Sequence, residues 1–429
     1  MKRYFSVLIK IIISAIFWIG SKLFDFFTFK RLRTIFVCSF HSFWLIFITF
    51  IWINTTFMYE DEYMLIRISS FVKRMVLHIE EKPSRDKFLF IGVSWDKELI
   101  DKLDEDGLPI GNQAITDRNK IAKFLHVLNK NPYNHKFLVM DVFFRDPSPY
   151  DSLLQVEFDS LKNYLVSYHK SKDGVPINPV IKVNKGLSDY ENSEEGLLGV
   201  SAGGFAKYKL IQEDTFKTLP LLMYEKIYNK NVINGWLFDH MDDKALFPTF
   251  VVDHRIRPYD LFEAPDSIRY DRIYLNELIV LPDELIWELT KNRILVIGDY
   301  EDRDIHDTIY GSMPGPLILT NAFLALEAFD NVIHWPFILL LFIGFYMVSY
   351  RCFFSRNFLS GIFKIKFFKT NKFLVNFLGY FIFFLIMSLL SFFLFDVHLS
   401  ILLLAFYMEI VDFLLQKFVF KKENKHKLT

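Results

Sequence analysis

The chain has 429 residues, of which 52% are hydrophobic, 18% aromatic and 23% charged, with a mean hydropathy of +0.21. That apolar mass excludes a disordered chain, and a total of two cysteines, Cys38 and Cys352, excludes a disulfide scaffold. The formal net charge is zero, so no global basic field points to nucleic acid as a partner.

The zero conceals a division. Residues 55–330 carry 45 acidic and 32 basic side chains, a net of −13, while the other 5 acids and 18 bases net +13. Bases beside apolar stretches, with acids concentrated between them, is the pattern of an integral membrane protein with a large translocated domain. The lipid bilayer is therefore the first expected partner.

In chain order, residues 1–33 read as a cytoplasmic N-terminus. Lys10, Lys22 and Asp25 interrupt its apolar stretch 4–28, which favours a helix lying in the inner membrane interface. Residues 34–54 hold no Lys, Arg, Asp or Glu and form the first predicted transmembrane helix. No small-residue cleavage site follows, so it reads as an uncleaved signal anchor.

Residues 55–331 form the predicted extracytoplasmic domain. Met64, Ile68, Phe71, Val72, Met75 and Ile79 recur at helical spacing, so the first span is expected to run on into a helix that ends before Pro83. Residues 87–94 (KFLFIGVS) and 136–144 (KFLVMDVFF) are short apolar runs of buried-strand type. Between them, Thr116 is the predicted N-cap of a helix with Ile121, Phe124, Leu125 and Leu128 on one face. Leu154, Phe158, Leu161 and Leu165 mark the next helix, 179–183 a third strand, and 184–199 a surface loop. A helix over 216–228, strands over 247–252, 273–280 and 293–299, and an apolar helix over 317–329 follow. Strands alternating with helices predict an α/β fold with a mostly parallel sheet and helices on both faces.

Three more predicted transmembrane helices, 332–350, 373–395 and 398–416, complete a set of four. Basic residues precede the first span (Lys30, Arg31, Arg33), fill the loop 351–372 and fill the tail 417–429, whereas the link at 396–398 has no Lys or Arg. With four spans every basic cluster falls on the cytoplasmic side, and 55–331 lies outside.

Several groups could carry chemistry. Gly199-Val-Ser201-Ala-Gly203 matches the G-x-S-x-G nucleophile elbow, which gives an alternative reading as a membrane-bound serine hydrolase using Ser201. Its flanks lack the required strand and helix, so a backbone turn is the other reading. Asp299, Asp302, Asp304, His306 and Asp307 follow the strand at 293–299. They form either a solvated loop or part of a small-molecule site, since ligands of open α/β sheets sit beyond the carboxyl ends of the strands. Asp141 with Arg145, and Ser94 with Asp96, occupy similar strand ends. The ligand-binding candidates are thus Asp96, Asp141, Arg145, Asp299, Asp304 and His306. Neither a calcium loop nor a zinc, P-loop or dinucleotide motif is present, so no metal and no cofactor is expected. Glu409 and Asp412, three apart on one face of the last span, are candidates for transmembrane coupling. Asn376 is a weaker polar candidate for helix association, and His41 is expected to be a neutral, paired group.

The stretch 293–331 resembles the C-terminal signature of the second class of CHASE-type extracytoplasmic sensor domains. Ile297-Gly298 ends the strand, Asp304 and His306 lie in the polar loop, Pro314-Gly315 makes the turn, and Asn321-Ala322 sits in the helix before the membrane. In the N-terminal half, FIGVSWD ending at Asp96, Arg118 near a helix start, VMDVFF with Asp141, and Asp151 carry the likeness. It is weakest across 176–271, where KYKLIQE at 207–213 stands in place of the family's Asp-Gly-hydrophobic-Arg segment. The resemblance implies a non-enzymatic bacterial cell-membrane sensor or adaptor, with one span before the domain, three after it and an unknown extracytoplasmic ligand. Family members usually continue into a cytoplasmic catalytic domain. This sequence ends about a dozen residues after its last span, so a separate cytoplasmic output protein is expected, with a homodimer among the arrangements allowed.

Overall fold

The computed structural model describes residues 30–55, 60–79, 82–103, 106, 108–171, 173–188, 207–213, 215–354, 372–415 and 417. The chain divides into two compact units. One, Met1–Trp52 with His334–Ser391 and Leu399–Thr429, has its described residues mainly in helices; the other, Ile53–Ile333 with Phe392–His398, is mixed α/β. The expected interfacial helix at 4–28, most of the basic loop 351–372 and nearly all of the tail 417–429 lie outside the described residues.

The α/β unit is built on one parallel sheet. Its strands are β1 (Phe88–Gly92), β2 (Phe137–Asp141), β3 (Tyr164–Lys170), β4 (Lys185–Leu187), β5 (Arg272–Tyr274) and β6 (Ile294–Gly298), lying side by side in the order β5-β1-β6-β2-β3-β4. A two-residue strand, Pro176–Ile177, joins β3 antiparallel. The three central strands read FLFIG, ILVIG and FLVMD, in register from Phe88, Ile294 and Phe137 to Gly92, Gly298 and Asp141. They are apolar on both faces because both faces are covered.

The longer helices described beside the sheet are α1 (Glu60–Phe71), α2 (Arg118–Lys130), α3 (Asp151–Ser160), α4 (Leu219–Tyr228), α5 (Asp283–Thr290) and α6 (Gly315–Glu327). Phe88, Phe90, Phe137, Val139, Ile294 and Val296 pack on α4 and α6. Leu89, Ile91, Leu138, Met140, Leu295 and Ile297 pack on α2, α3 and α5. Period-two alternation along each strand thus feeds two cores, and each fully buried Leu, Ile or Phe contributes about 1.5–3 kcal/mol. Helix α6 is buried along its length from Gly315 to Leu326. Its one amide, Asn321, is satisfied throughout: Oδ1 accepts from Ile256 N at 2.9 Å, and Nδ2 donates to the Ile256 and Leu317 carbonyls at 2.7 and 2.9 Å.

Several boundaries differ from the expectation. Helix α2 is capped by Asp117, whose Oδ1 accepts from Lys120 N at 3.0 Å. Thr116 instead ends a strand, Pro109–Thr116, that pairs with Lys97–Leu103 in an antiparallel hairpin. Helix α3 stops at Ser160, and Leu165 belongs to β3; Asn163, at φ +51°, turns the chain between them. The expected strand at 273–280 is β5 followed by a helical turn, Leu275–Leu278, which buries Leu275 and Leu278. At 179–183 the pairing falls on the two flanking strands instead.

Helix α1, continued by a π-helical turn Val72–Val76, is turned inside out. Glu62, Ser69 and Ser70 are buried, while Met64, Ile68, Phe71 and Met75 are 62, 47, 59 and 63% exposed. The expected helical stripe is present, but it faces away from the core.

Among the described residues, three helices are long and apolar enough to cross a membrane: Leu32–Ile53, Trp335–Phe354 and Asn376–Phe395. The fourth expected span holds a shorter helix, Ile401–Leu415. Its 15 residues reach about 22 Å at 1.5 Å per residue, short of the roughly 30 Å hydrocarbon layer. Four crossings are therefore not established by helix length. His41 is paired: Nδ1 lies 2.7 Å from Ser349 Oγ and Nε2 3.2 Å from Tyr407 Oη, so one imidazole ties three helices.

Candidate functional site

The carboxyl ends of β1, β6 and β2 bring most of the expected ligand-binding residues to one rim. Asp299 follows β6 directly and is 8% exposed. Its Oδ1 accepts from Ser94 Oγ at 2.6 Å and from the amides of Glu301 and Asp302 at 3.1 and 3.0 Å, while Lys97 Nζ lies 3.3 Å from Oδ2. Burial alone would raise this carboxyl, but the Ser94 hydroxyl, the two amides and the Lys97 charge outweigh it and hold Asp299 below the usual carboxylate range. Asp299 therefore closes its own loop.

The neighbouring carboxylates are engaged in the same way. Asp96, fully buried, accepts from Lys120 Nζ at 2.6 Å and from Asn276 N at 3.3 Å, joining the end of β1 to α2 and to the Leu275–Leu278 turn. Asp141 accepts from Ser188 Oγ at 2.9 Å. Arg145, four residues further on, is exposed and forms no ion pair with a described residue. Arg118, 1% exposed, forms an ion pair with Asp151 and also donates to the Asp146 carbonyl.

Asp304 and His306 pair with each other, Oδ1 to Nε2 at 2.8 Å. The Asp304 carbonyl accepts from Gly315 N at 2.8 Å, and a Cβ on Gly315 would fall 2.1 Å from Asp304 Oδ2. The Asp304 carboxylate thus lies against the first residue of α6, at the positive end of the helix, where an anionic ligand would otherwise be held. Beneath the rim, the cavity lined by Val139, Asp141, Val296 and Pro316 measures about 10 Å³, room for one water at most. Among the described residues, no three His, Cys, Asp or Glu side chains converge where a metal ion could sit.

No family model, curated protein or solved structure matches this chain. The reading of its function therefore rests on the chain's own residues.

Ser201 lies outside the described residues. Of the coupling candidates, Asp412 accepts from Asn376 Nδ2 at 2.9 Å, joining the Ile401–Leu415 and Lys372–Phe395 helices. Glu409 is 4% exposed, and its Oε2 has no hydrogen-bond partner among the described residues.

A larger ionic constellation was missed at sequence level. Within the α/β unit it gathers the π-helical turn after α1, the segment 253–257, the end of the α6 connection and the turn Phe392–His398. Lys73 Nζ lies 3.0 Å from Asp396 Oδ1 and 3.6 Å from Asp253 Oδ2. Arg74 forms an ion pair with Asp253 and donates to the His254 carbonyl at 3.0 Å. Arg255 grips Asp330 with both terminal nitrogens, at 2.8 and 3.0 Å. Burial would raise Asp253, yet the Arg74, Lys73 and Arg255 charges bring it below its ordinary value. Asp330 behaves oppositely. Burial pushes it up to about 6, Asp396 and Asp253 add to the rise, and Arg255 opposes it. His254, fully buried and edge-on to Tyr310 at 5.0 Å, is driven by burial down to about 3 and is neutral. Nearby, Lys207 Nζ and Glu62 Oε1 pair at 2.7 Å, both side chains 3% exposed. The partners lie 75 to 323 positions apart, Arg255 to Asp330 and Lys73 to Asp396, and no local pattern joins them.

Proposed function

We propose that this chain is a membrane-anchored sensor or adaptor, not an enzyme. The α/β unit stands on the extracytoplasmic side of a bacterial cell membrane and takes up a ligand or partner there. Four crossing helices, with residues 399–416 as the fourth, relay its state to a separate cytoplasmic protein. A helix of that length crosses by local thinning of the bilayer. The division between an acid-rich middle and base-rich flanks supports the orientation, and the likeness to the second class of CHASE-type sensors supports the kind of protein.

The observation that carries the relay is the ionic constellation. Lys73 lies on the entry segment, Asp330 on the exit segment and Asp396 on the turn between two apolar helices. Asp253 and Arg255, two residues apart, bond to the first and second of these. A ligand acts only through a free-energy difference between two arrangements, and a charge cluster shared by three membrane connections is an element whose arrangement a binding event can bias. The outward stripe of Met64, Ile68, Phe71 and Met75, spaced four, three and four, favours two copies pairing along α1.

The test breaks the cluster and reads the helices. In a Cys38→Ser background of the full chain in membranes, the reaction rate of Cys352 with a permeant maleimide is measured. Lys73→Met and Asp396→Asn should each change that rate several-fold. Equal rates in both variants and the parent would refute the relay.

A further inference from the structure

A small sheet within the α/β unit displays an aromatic ring to its surroundings. Its strands, Val232–Ile233, Asp239–Met241 and Lys244–Leu246, pair in chain order. The loop between the first two is tightly closed. Gly235 N donates to Asp239 Oδ1 at 3.2 Å, and a Cβ on Gly235 would fall 2.1 Å from the Phe238 carbonyl oxygen. Trp236 stands on that loop 86% exposed, the most exposed large apolar side chain among the described residues, and Ile233 before it is 61% exposed.

One exposed ring needs no explanation by itself. The place of this one gives it meaning. Asn54, the residue directly after the apolar helix Leu32–Ile53, donates through Nδ2 to the Leu237 carbonyl, next to Trp236 in the chain. The Asn54 carbonyl in turn accepts from Thr249 Oγ1 at 3.0 Å. At the third strand, the Ala245 carbonyl accepts from Ile333 N at 2.8 Å and Leu246 pairs with Val332, just before the apolar helix Trp335–Phe354. The sheet is thus bonded to the chain both where it enters the α/β unit and where it leaves. Each bond falls within two residues of a helix long enough to cross a bilayer.

We propose that the loop 234–238 rests in the headgroup layer of the bilayer that these two helices enter, with Trp236 as its anchor and Ile233 beside it. The partner is the lipid surface itself, and the proposal rests on reading Leu32–Ile53 and Trp335–Phe354 as crossing helices. An indole has an apolar body and one donor N–H, and it favours the boundary where one end is apolar and the other wet. A loop already closed by Gly235 and Asp239 loses little further freedom on contact. The ring gives this sheet a third hold on the membrane, beside the entry and exit segments.

The test uses the full chain with Cys38 and Cys352 replaced by Ser, in vesicles of phosphatidylcholine brominated in the upper acyl chain. An environment-sensitive fluorophore is attached through Ile233→Cys, Phe43→Cys or Tyr133→Cys in turn. Phe43, 61% exposed, lies within the apolar helix Leu32–Ile53, and Tyr133, 80% exposed, lies in the loop between α2 and β2. Bromine should quench the label at position 233 several-fold more than the label at position 133, and Trp236→Ser should remove most of that difference. Quenching at position 43, with position 233 quenched no more than position 133, overturns the loop contact and leaves the crossing helix standing. Quenching at neither 43 nor 233 overturns both. Strong quenching at position 233 that Trp236→Ser leaves intact overturns the role of Trp236.

Discussion

Lys207→Met isolates the cost of one buried charge. The Lys207 ammonium is the cation that faces Glu62, at 2.7 Å, with both side chains 3% exposed. Oε2 of Glu62 already has no hydrogen-bond partner among the described residues. Removing the cation strands a carboxylate out of water, which costs about 3–5 kcal/mol. With a urea slope of roughly 3 kcal/mol per molar, the midpoint should fall by about 1–1.7 M. The double variant Glu62→Met/Lys207→Met removes both desolvated charges and should return to within about 1–2 kcal/mol of the parent, or exceed it. Burial already raises the Glu62 carboxyl above its ordinary value, with Lys207 opposing. Without Lys207 it binds a proton more readily, so part of the loss should be recovered as the pH is lowered toward 5. The assay is pulse proteolysis of the full chain in detergent across a urea series, reading loss of the α/β fragment. A midpoint shift below about 0.3 M for Lys207→Met, or a double variant as unstable as the sum of the singles, would refute the reasoning.

Three other outcomes follow from the geometry. Asp330, raised to about 6 from an unfolded value of 3.8, contributes stability that is fully present below pH 4 and lost as the pH climbs through 6. Asp330→Asn should therefore remove about 2–3 kcal/mol of pH dependence between pH 4 and 7, measured as the difference between parent and variant urea midpoints. Gly298→Ala would place a Cβ 2.2 Å from Pro316 Cγ and 3.0 Å from Pro316 Cβ, in a ring that cannot rotate aside; a loss of about 1–3 kcal/mol is expected by the same assay. In a chain with Cys38 and Cys352 replaced by Ser, Phe71→Cys should form an oxidative cross-link between copies in membranes, and Ser70→Cys, on the buried side of α1, should not. Monomer alone from both would remove the proposed pairing along α1.

The centre of the fold was legible because its signals are local. β1, β2 and β6 are unbroken apolar runs between turn residues, and α2 shows its buried face as Ile121, Phe124, Leu125 and Leu128. The hairpin of Lys97–Leu103 with Pro109–Thr116 was not, because KELIDKL and PIGNQAIT read as polar and irregular and their pairing is set by backbone bonds. Periodicity located the stripe on α1, yet it cannot say which side of a helix the domain covers, and here ion pairs hold the polar side inward. Strand ends placed Asp96, Asp141 and Asp299 on one rim correctly. That each is engaged by Lys120, Ser188 or Ser94 depends on contacts 24 to 205 positions away.

The central claim is that the α/β unit lies outside the cytoplasm. In intact cells, a cysteine at Tyr133, 80% exposed in the loop between α2 and β2, should react with a membrane-impermeant maleimide as fully as after lysis. Protection of that cysteine in intact cells, with full labelling only once the membrane is broken, would contradict the account.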